Sequence, residues 1–105
     1  MAQFDVYRNP SKTTRKFYPY LLDIQSPYIS DLATRIVIPL GLVSFFKNES
    51  MDILTPEITF EEEGLLLLTP QMSSMPSNLL KEPVGTLVHF RDQIINAVDF
   101  AISGV

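Results

Sequence analysis

Only the last fifth of this chain carries a convincing helical repeat, and everything before it is broken into short apolar runs by proline, glycine and clusters of acids. From about Pro83 to Ile102, Val84, Leu87, Val88, Ile94, Ile95, Val98 and Ile102 fall on one stripe at helical spacing. Pro83 suits the first position of a helix, and Gly104 suits its end. Phe90, Ala97, Phe100 and Ala101 lie off the stripe. That second apolar side needs a loop, a partner or a second subunit to cover it. Strands first and helix last, with no alternation of the two and no internal repeat, excludes a parallel βαβ sheet. The expected fold class is mainly β: a small, mainly antiparallel barrel with a C-terminal α-helix laid across it.

The strands are read from period-two patterns and their breakers. Phe4 to Tyr7 alternates, and Lys16 to Gln25 resumes strand character after the Asn9-Pro10-Ser11 break, so the two form a hairpin. Pro19 has no amide proton and places its strand at an edge or a bulge. Arg35 to Leu40 is β-branched and apolar, and reads as a central strand ended by Pro39. Leu42 to Asn48 reads as a turn or an irregular strand. Glu57 to Phe60 alternates, Glu61 to Gly64 is a hairpin turn in which Gly64 supplies the permissive φ, and Leu65 to Thr69 returns. The leucines of that return strand imply burial on both faces, or one face in the core and the other in a dimer. Pro70 to Pro76 is a connection in which Met72 and Met75 fill gaps in the core, and Ser77 to Leu80 is a short strand or turn.

The 105 residues are enough for one domain spanning 1–105. A chain this short has little core to spare, and with 46% of its residues hydrophobic it is expected to dimerise. The absence of cysteine excludes disulfides, thiol chemistry and cysteine-ligated zinc. The start of the chain lacks a basic region followed by an apolar stretch, and the longest apolar tract, Ile36 to Phe46, is about half a membrane span. A soluble, cytoplasmic protein without a membrane partner is expected. The formal net charge of −4 and the spread of eight basic residues argue against direct binding of nucleic acid. The one basic concentration, Arg8, Lys12, Arg15 and Lys16, is either a solvated loop or a contact for an acidic partner.

Catalysis finds no foothold. A hydrolase or transferase needs an activated nucleophile, a base and an orienting group. His89 is the sole histidine and falls within the helical stretch, and the three acids Glu61 to Glu63 are adjacent on a turn. Four glycines, at 41, 64, 85 and 104, make no phosphate-binding loop. Neither an enzyme nor a small-molecule substrate, cofactor or metal site is expected.

Several fragments, in order and spacing, resemble the CcdB family of bacterial toxins. They are Gln3-Phe4 with Val6-Tyr7, Asp23-Ile24-Gln25-Ser26, Arg35-Ile36-Val37-Ile38-Pro39-Leu40, Met72-Ser73-Ser74-Met75-Pro76, Arg91 to Ile95 with Asn96-Ala97, and Gly104 with an aliphatic last residue. The resemblance implies an SH3-like barrel of antiparallel strands with a small accessory sheet and a C-terminal α-helix, in a homodimeric toxin of a type II toxin–antitoxin module. Such a toxin binds the A subunit of DNA gyrase and traps the complex of gyrase with cleaved DNA. A cognate CcdA-like antitoxin neutralises it, and the two together repress their operon, so the toxin meets operator DNA only through the antitoxin. Carried onto this chain, the gyrase contact is Tyr28, Ile29, Asp99, Ile102, Ser103, Gly104 and Val105. The antitoxin contact is Arg8, Lys12 and Arg15 with Val43, Phe46 and Lys47, and the dimer contact uses Phe100 or Ala101. The family's best-known member has a tryptophan where this chain has Ser103. Loss of an aromatic anchor weakens an interface, so the alternatives are a co-repressor of the same fold with little or no gyrase activity, a peptide-binding module that acts through an edge strand, and a direct transcription factor.

Overall fold

The computed structural model describes residues 2–29, 32–46 and 53–104. Its sheet runs in the order β4-β5-β3-β2-β1-β7, with β6 paired to β3 off that path. The strands are β1 (Asp5–Arg8), β2 (Tyr20–Asp23), β3 (Thr34–Leu42), β4 (Glu57–Phe60), β5 (Glu63–Leu67), β6 (Ser73–Pro76) and β7 (Gly85–Thr86). Every pairing is antiparallel. The sheet curls into a half-barrel, with helix α2 (Arg91–Ser103) as the last element of the fold.

Alternation sends the two sides of each strand into different cores. Val6, Tyr20, Leu22, Ile38, Leu40, Ile58, Phe60, Leu65 and Leu67 face the main core, where Ile94 and Ala97 of α2 join them. The opposite face gathers Tyr7, Leu21, Val37 and Leu80 with Met75 at its margin. The run from Leu65 to Leu68 is buried within the single chain. Phe46 and Leu68 close on the same side of Gly41, where a Cβ would stand 2.6 Å from the Phe46 ring and 2.8 Å from Leu68. Phe46 belongs to α1 (Val43–Phe46), a single helical turn where the sequence reads as a turn or irregular strand.

The structure corrects several sequence expectations. The helix begins at Arg91 rather than near Pro83. The Val84 and Leu87 N–H groups instead donate to the carbonyls of Val6 and Phe4, at 2.7 and 2.8 Å, which completes the edge of β1. A helix starting at Pro83 would leave that edge unpaired. The buried stripe rotates as a result: Ala97 is enclosed and Phe90 packs against the core, whereas Val88 and Ile102 are exposed. The chain therefore covers part of the second apolar side itself. Pro39 does not end its strand, because β3 continues to Leu42. On one side β3 pairs β6 over Thr34 to Val37 and β5 over Leu40 to Leu42, so Pro39 sits at the changeover, where a missing N–H costs least. Its carbonyl accepts the Leu68 N–H at 3.0 Å. Finally, the Pro70 to Pro76 connection contains strand β6, and β2 begins only at Tyr20, after Pro19.

The acidic turn is corrected too. Gly64 lies inside β5, opposite Thr59, and the loop is the two residues Glu61 and Glu62, with φ of 52° and 66°. Two successive left-handed residues define the type I′ hairpin turn that suits strand twist, and asparagine-glycine is its preferred filling. Glutamate has no such tolerance, and each left-handed non-glycine residue costs roughly 1–2 kcal/mol. Replacing Glu61-Glu62 by Asn-Gly is expected to stabilise the fold by about 1–2 kcal/mol, read as a higher urea midpoint with an unchanged slope. An unchanged midpoint would mean that the turn stores no strain.

Candidate functional site

The loop between β1 and β2 owes its shape to Asn9, which is buried. Its Nδ2 donates to the Tyr18 carbonyl at 2.8 Å and to Thr14 Oγ1 at 3.0 Å, and its Oδ1 accepts the Ser11 N–H at 3.0 Å. The backbone N–H of Asn9 donates to the Pro19 carbonyl, which closes the neck of the loop. So fixed, the loop brings Arg8 and Arg15 to one wall of a cleft of about 370 Å³. Lys81, Glu82, Leu79 and Val84 form the other wall. Arg15 leans back to donate to the Pro10 carbonyl at 3.3 Å, and the Arg8 guanidinium lies 5.9 Å from the centre of the Tyr20 ring. Lys12 is exposed on the same loop. Three cations against one carboxylate line the cleft, which suits an acidic chain segment. Lys81 was invisible to the sequence reading, because it is remote in the chain and only the docking of β7 on β1 carries it there.

The second half of the expected antitoxin contact joins this loop. Phe46 stacks on Tyr18 at 5.1 Å, and Phe45 meets Phe17 edge-on at 5.0 Å. Val43 and Phe46 are half-buried, and Phe45 is exposed. Loop and α1 therefore form one continuous surface. A smaller cavity of about 180 Å³, with Tyr18, Leu21, Val37, Pro39 and Met75 in its walls, adjoins the basic cleft through Asn9. Lys47 lies outside the described residues.

The residues expected at the gyrase contact occupy two places. Tyr28 is 95% exposed on the 3-10 turn Pro27–Ile29. Asp99, Ile102, Ser103 and Gly104 sit at the end of α2, where Ile102 is 72% exposed. Gly104 takes φ of 74° and returns its N–H to the Phe100 carbonyl at 2.9 Å, a left-handed cap. The Ser103 hydroxyl turns back to the Asp99 carbonyl at 2.7 Å. Of the two dimer candidates, Phe100 is half-buried and Ala101 is exposed. Val105 lies outside the described residues.

One constellation escaped the sequence reading. Asp23 and Arg35 are both fully buried, with Nε and Nη2 of the arginine 2.8 and 2.7 Å from the same carboxylate oxygen. Burial pushes the Asp23 carboxyl above the usual carboxylate range, against the opposing pull of the Gln25 N–H and Arg35. Tyr7 is buried on the same face of the sheet, and burial, reinforced by Asp5 and Asp23, raises its phenol. The signal was present in sequence as an acid and a base at the same parity of neighbouring strands. Register alone decides whether they meet.

His89 is exposed in the 3-10 turn Val88–Phe90 rather than in the helix, with its ring 4.4 Å from that of Phe90. Glu61, Glu62 and Glu63 are exposed as well. Among the described residues no group of three or more potential ligands is placed to hold a metal ion, and no helix is long and apolar enough to cross a membrane. What the geometry offers is contact surface: a basic cleft, an exposed aromatic turn and a capped helix end. Compared with known families, residues 3–104 match the family model described as CcdB protein.

Proposed function

Since this chain belongs to the CcdB family, whose members are toxins of type II toxin–antitoxin modules, we propose that it binds the A subunit of DNA gyrase and traps the enzyme on cleaved DNA. The observation that carries this reading is the end of α2. Ile102 stands 72% exposed on a helix that a left-handed glycine closes cleanly. A large aliphatic side chain kept out of the core on a rigid element is a ready anchor for a partner. Tyr28 is a second such anchor on a separate element. The protein acts by binding, not by catalysis, and the test is a cleavage assay with its host's gyrase, ATP and supercoiled DNA. Accumulation of linear DNA supports the reading, and its absence with well-folded protein removes it.

The cognate antitoxin is proposed to lay an acidic segment along the cleft of Arg8, Arg15 and Lys81 and over α1. Toxin and antitoxin together repress the operon, and this chain, with its net charge of −4, reaches operator DNA only through its partner. The working form is a cytoplasmic homodimer that uses Phe100 or Ala101 in an interface repeated on both subunits. Exchanging both Arg15 and Lys81 for glutamate is expected to weaken antitoxin binding at least ~10-fold, chiefly through slower association, and to flatten its salt dependence. Surface-plasmon kinetics at two ionic strengths check this, and an unchanged association rate would move the antitoxin elsewhere.

One observation favours a second reading. Ser103 stands where the best-known relative has tryptophan, and its hydroxyl is engaged with its own helix. If the cleavage assay is negative while antitoxin binding is tight, the protein serves as an antitoxin-binding co-repressor.

A further inference from the structure

The exposed Tyr28 and the buried Asp23–Arg35 pair lie on one short stretch of chain. Asp23 closes β2, and Arg35 opens the return of the chain in β3. Because both arginine nitrogens meet Asp23 Oδ2, the second oxygen, Oδ1, is left to accept the Gln25 N–H at 3.0 Å. That is an Asx turn, anchored from beneath by a buried cation. Gln25 is buried in its turn, and its Oε1 accepts the Ile36 N–H at 3.1 Å. Next to it the Ile24 N–H donates to the Ile36 carbonyl at 3.0 Å, so the outgoing limb is tied to the incoming strand at neighbouring points. Ser26 Oγ then accepts the Tyr28 N–H at 3.2 Å, and Pro27 fixes φ at the head of the turn. The result is an almost wholly exposed aromatic ring carried on a limb that is hydrogen-bonded back to a buried ion pair.

A buried ion pair is a poor device for stability, since desolvation offsets most of its attraction. It is a good device for fixing geometry. A loop ordered before binding loses less freedom on binding, and its anchor side chain arrives already placed. We propose that Asp23, Arg35 and Gln25 are positioning residues for Tyr28: they hold Gln25 to Tyr28 in the bound geometry and so set the affinity for gyrase. This rests on the gyrase reading above and deepens it. Gln25 acts through Tyr28 rather than by contact with gyrase.

Gln25→Met tests the proposal, because it keeps the length and apolar bulk of the side chain while removing the acceptor for the Ile36 N–H. In the free protein, amide exchange at Ile36 and Tyr28 is expected to quicken. In the cleavage assay, the concentration for half-maximal cleavage is expected to rise about 10-fold, while antitoxin affinity stays at the wild-type value. The decisive measurement is a double-mutant cycle with Tyr28→Ala. If Gln25 works through Tyr28, the double variant is no weaker than Tyr28→Ala alone. Additive losses, or parallel losses of gyrase and antitoxin binding, would mark Gln25 as merely structural and overturn the proposal. Ser26→Ala, which removes the hydroxyl that receives the Tyr28 N–H without disturbing a buried group, serves if Gln25→Met does not fold. It too should be silent in the Tyr28→Ala background. Quickened exchange with undiminished cleavage overturns this proposal and spares the gyrase reading, whereas a wild-type protein that never promotes cleavage overturns both.

Discussion

Truncating Arg35 to alanine is expected to remove about 3–5 kcal/mol of folding stability, a large part of the roughly 5–15 kcal/mol available to a domain of this size. The loss is not the strength of the ion pair. It is the cost of leaving the Asp23 carboxylate enclosed, fully buried, without its cation. The raised pKa of Asp23 already says that burial outweighs what Arg35 and the Gln25 N–H give back. The sign of the linkage follows. Folding retains a proton on Asp23 over a range where the unfolded chain has lost it, so Asp23 contributes most at pH below the unfolded carboxylate value. That contribution declines as pH rises through the higher folded value. An ion pair that costs this much to bury should be replaceable by apolar side chains of similar shape. The double variant Asp23→Leu with Arg35→Met is therefore expected to fall within about 1 kcal/mol of wild type or above it. Urea unfolding of the three proteins decides the matter. A loss under about 1 kcal/mol for Arg35→Ala would mean that water reaches the site once the guanidinium is gone. By the positioning argument the stable double variant should still be a poor gyrase poison, which separates folding from function in one molecule.

The fold was legible where periodicity had a single interpretation. Glu57 to Phe60 alternates and Arg35 to Leu40 is β-branched and apolar, and both are strands. The last helix was legible in kind but not in extent. Val84 and Leu87 fit a helical stripe as well as they fit an edge pairing, and only the open edge of β1 chooses between the two. The same holds for Gly64, a plausible turn residue by type that the hairpin register places one step inside the strand. Local chemistry therefore found the elements, and non-local pairing set their ends. The candidate site divides along the same line. Arg8 and Arg15 are close in sequence and meet in one cleft, but Lys81 opposite them depends on strand order, as does the meeting of Asp23 with Arg35.

The largest functional effect is expected at the end of α2. Replacing Ile102 by aspartate should raise the concentration needed for half-maximal gyrase cleavage by about 30- to 1,000-fold, the range of a 2–4 kcal/mol interface anchor. Removing Gly104 and Val105 should do the same. Ile102 and Gly104 both lie off the core: Ile102 is largely exposed, and a Cβ at Gly104 would meet nothing within 4 Å. Thermal stability should therefore move by little, since exposed substitutions rarely exceed about 0.5 kcal/mol. Antitoxin affinity should also hold, because the basic cleft is built from other elements. The pattern matters more than the size of the loss. If cleavage and antitoxin binding fall together, the helix end is a structural cap after all. If cleavage persists without Ile102 and without the tail, the anchor lies elsewhere, and Tyr28, the most exposed large apolar side chain among the described residues, is the first place to look.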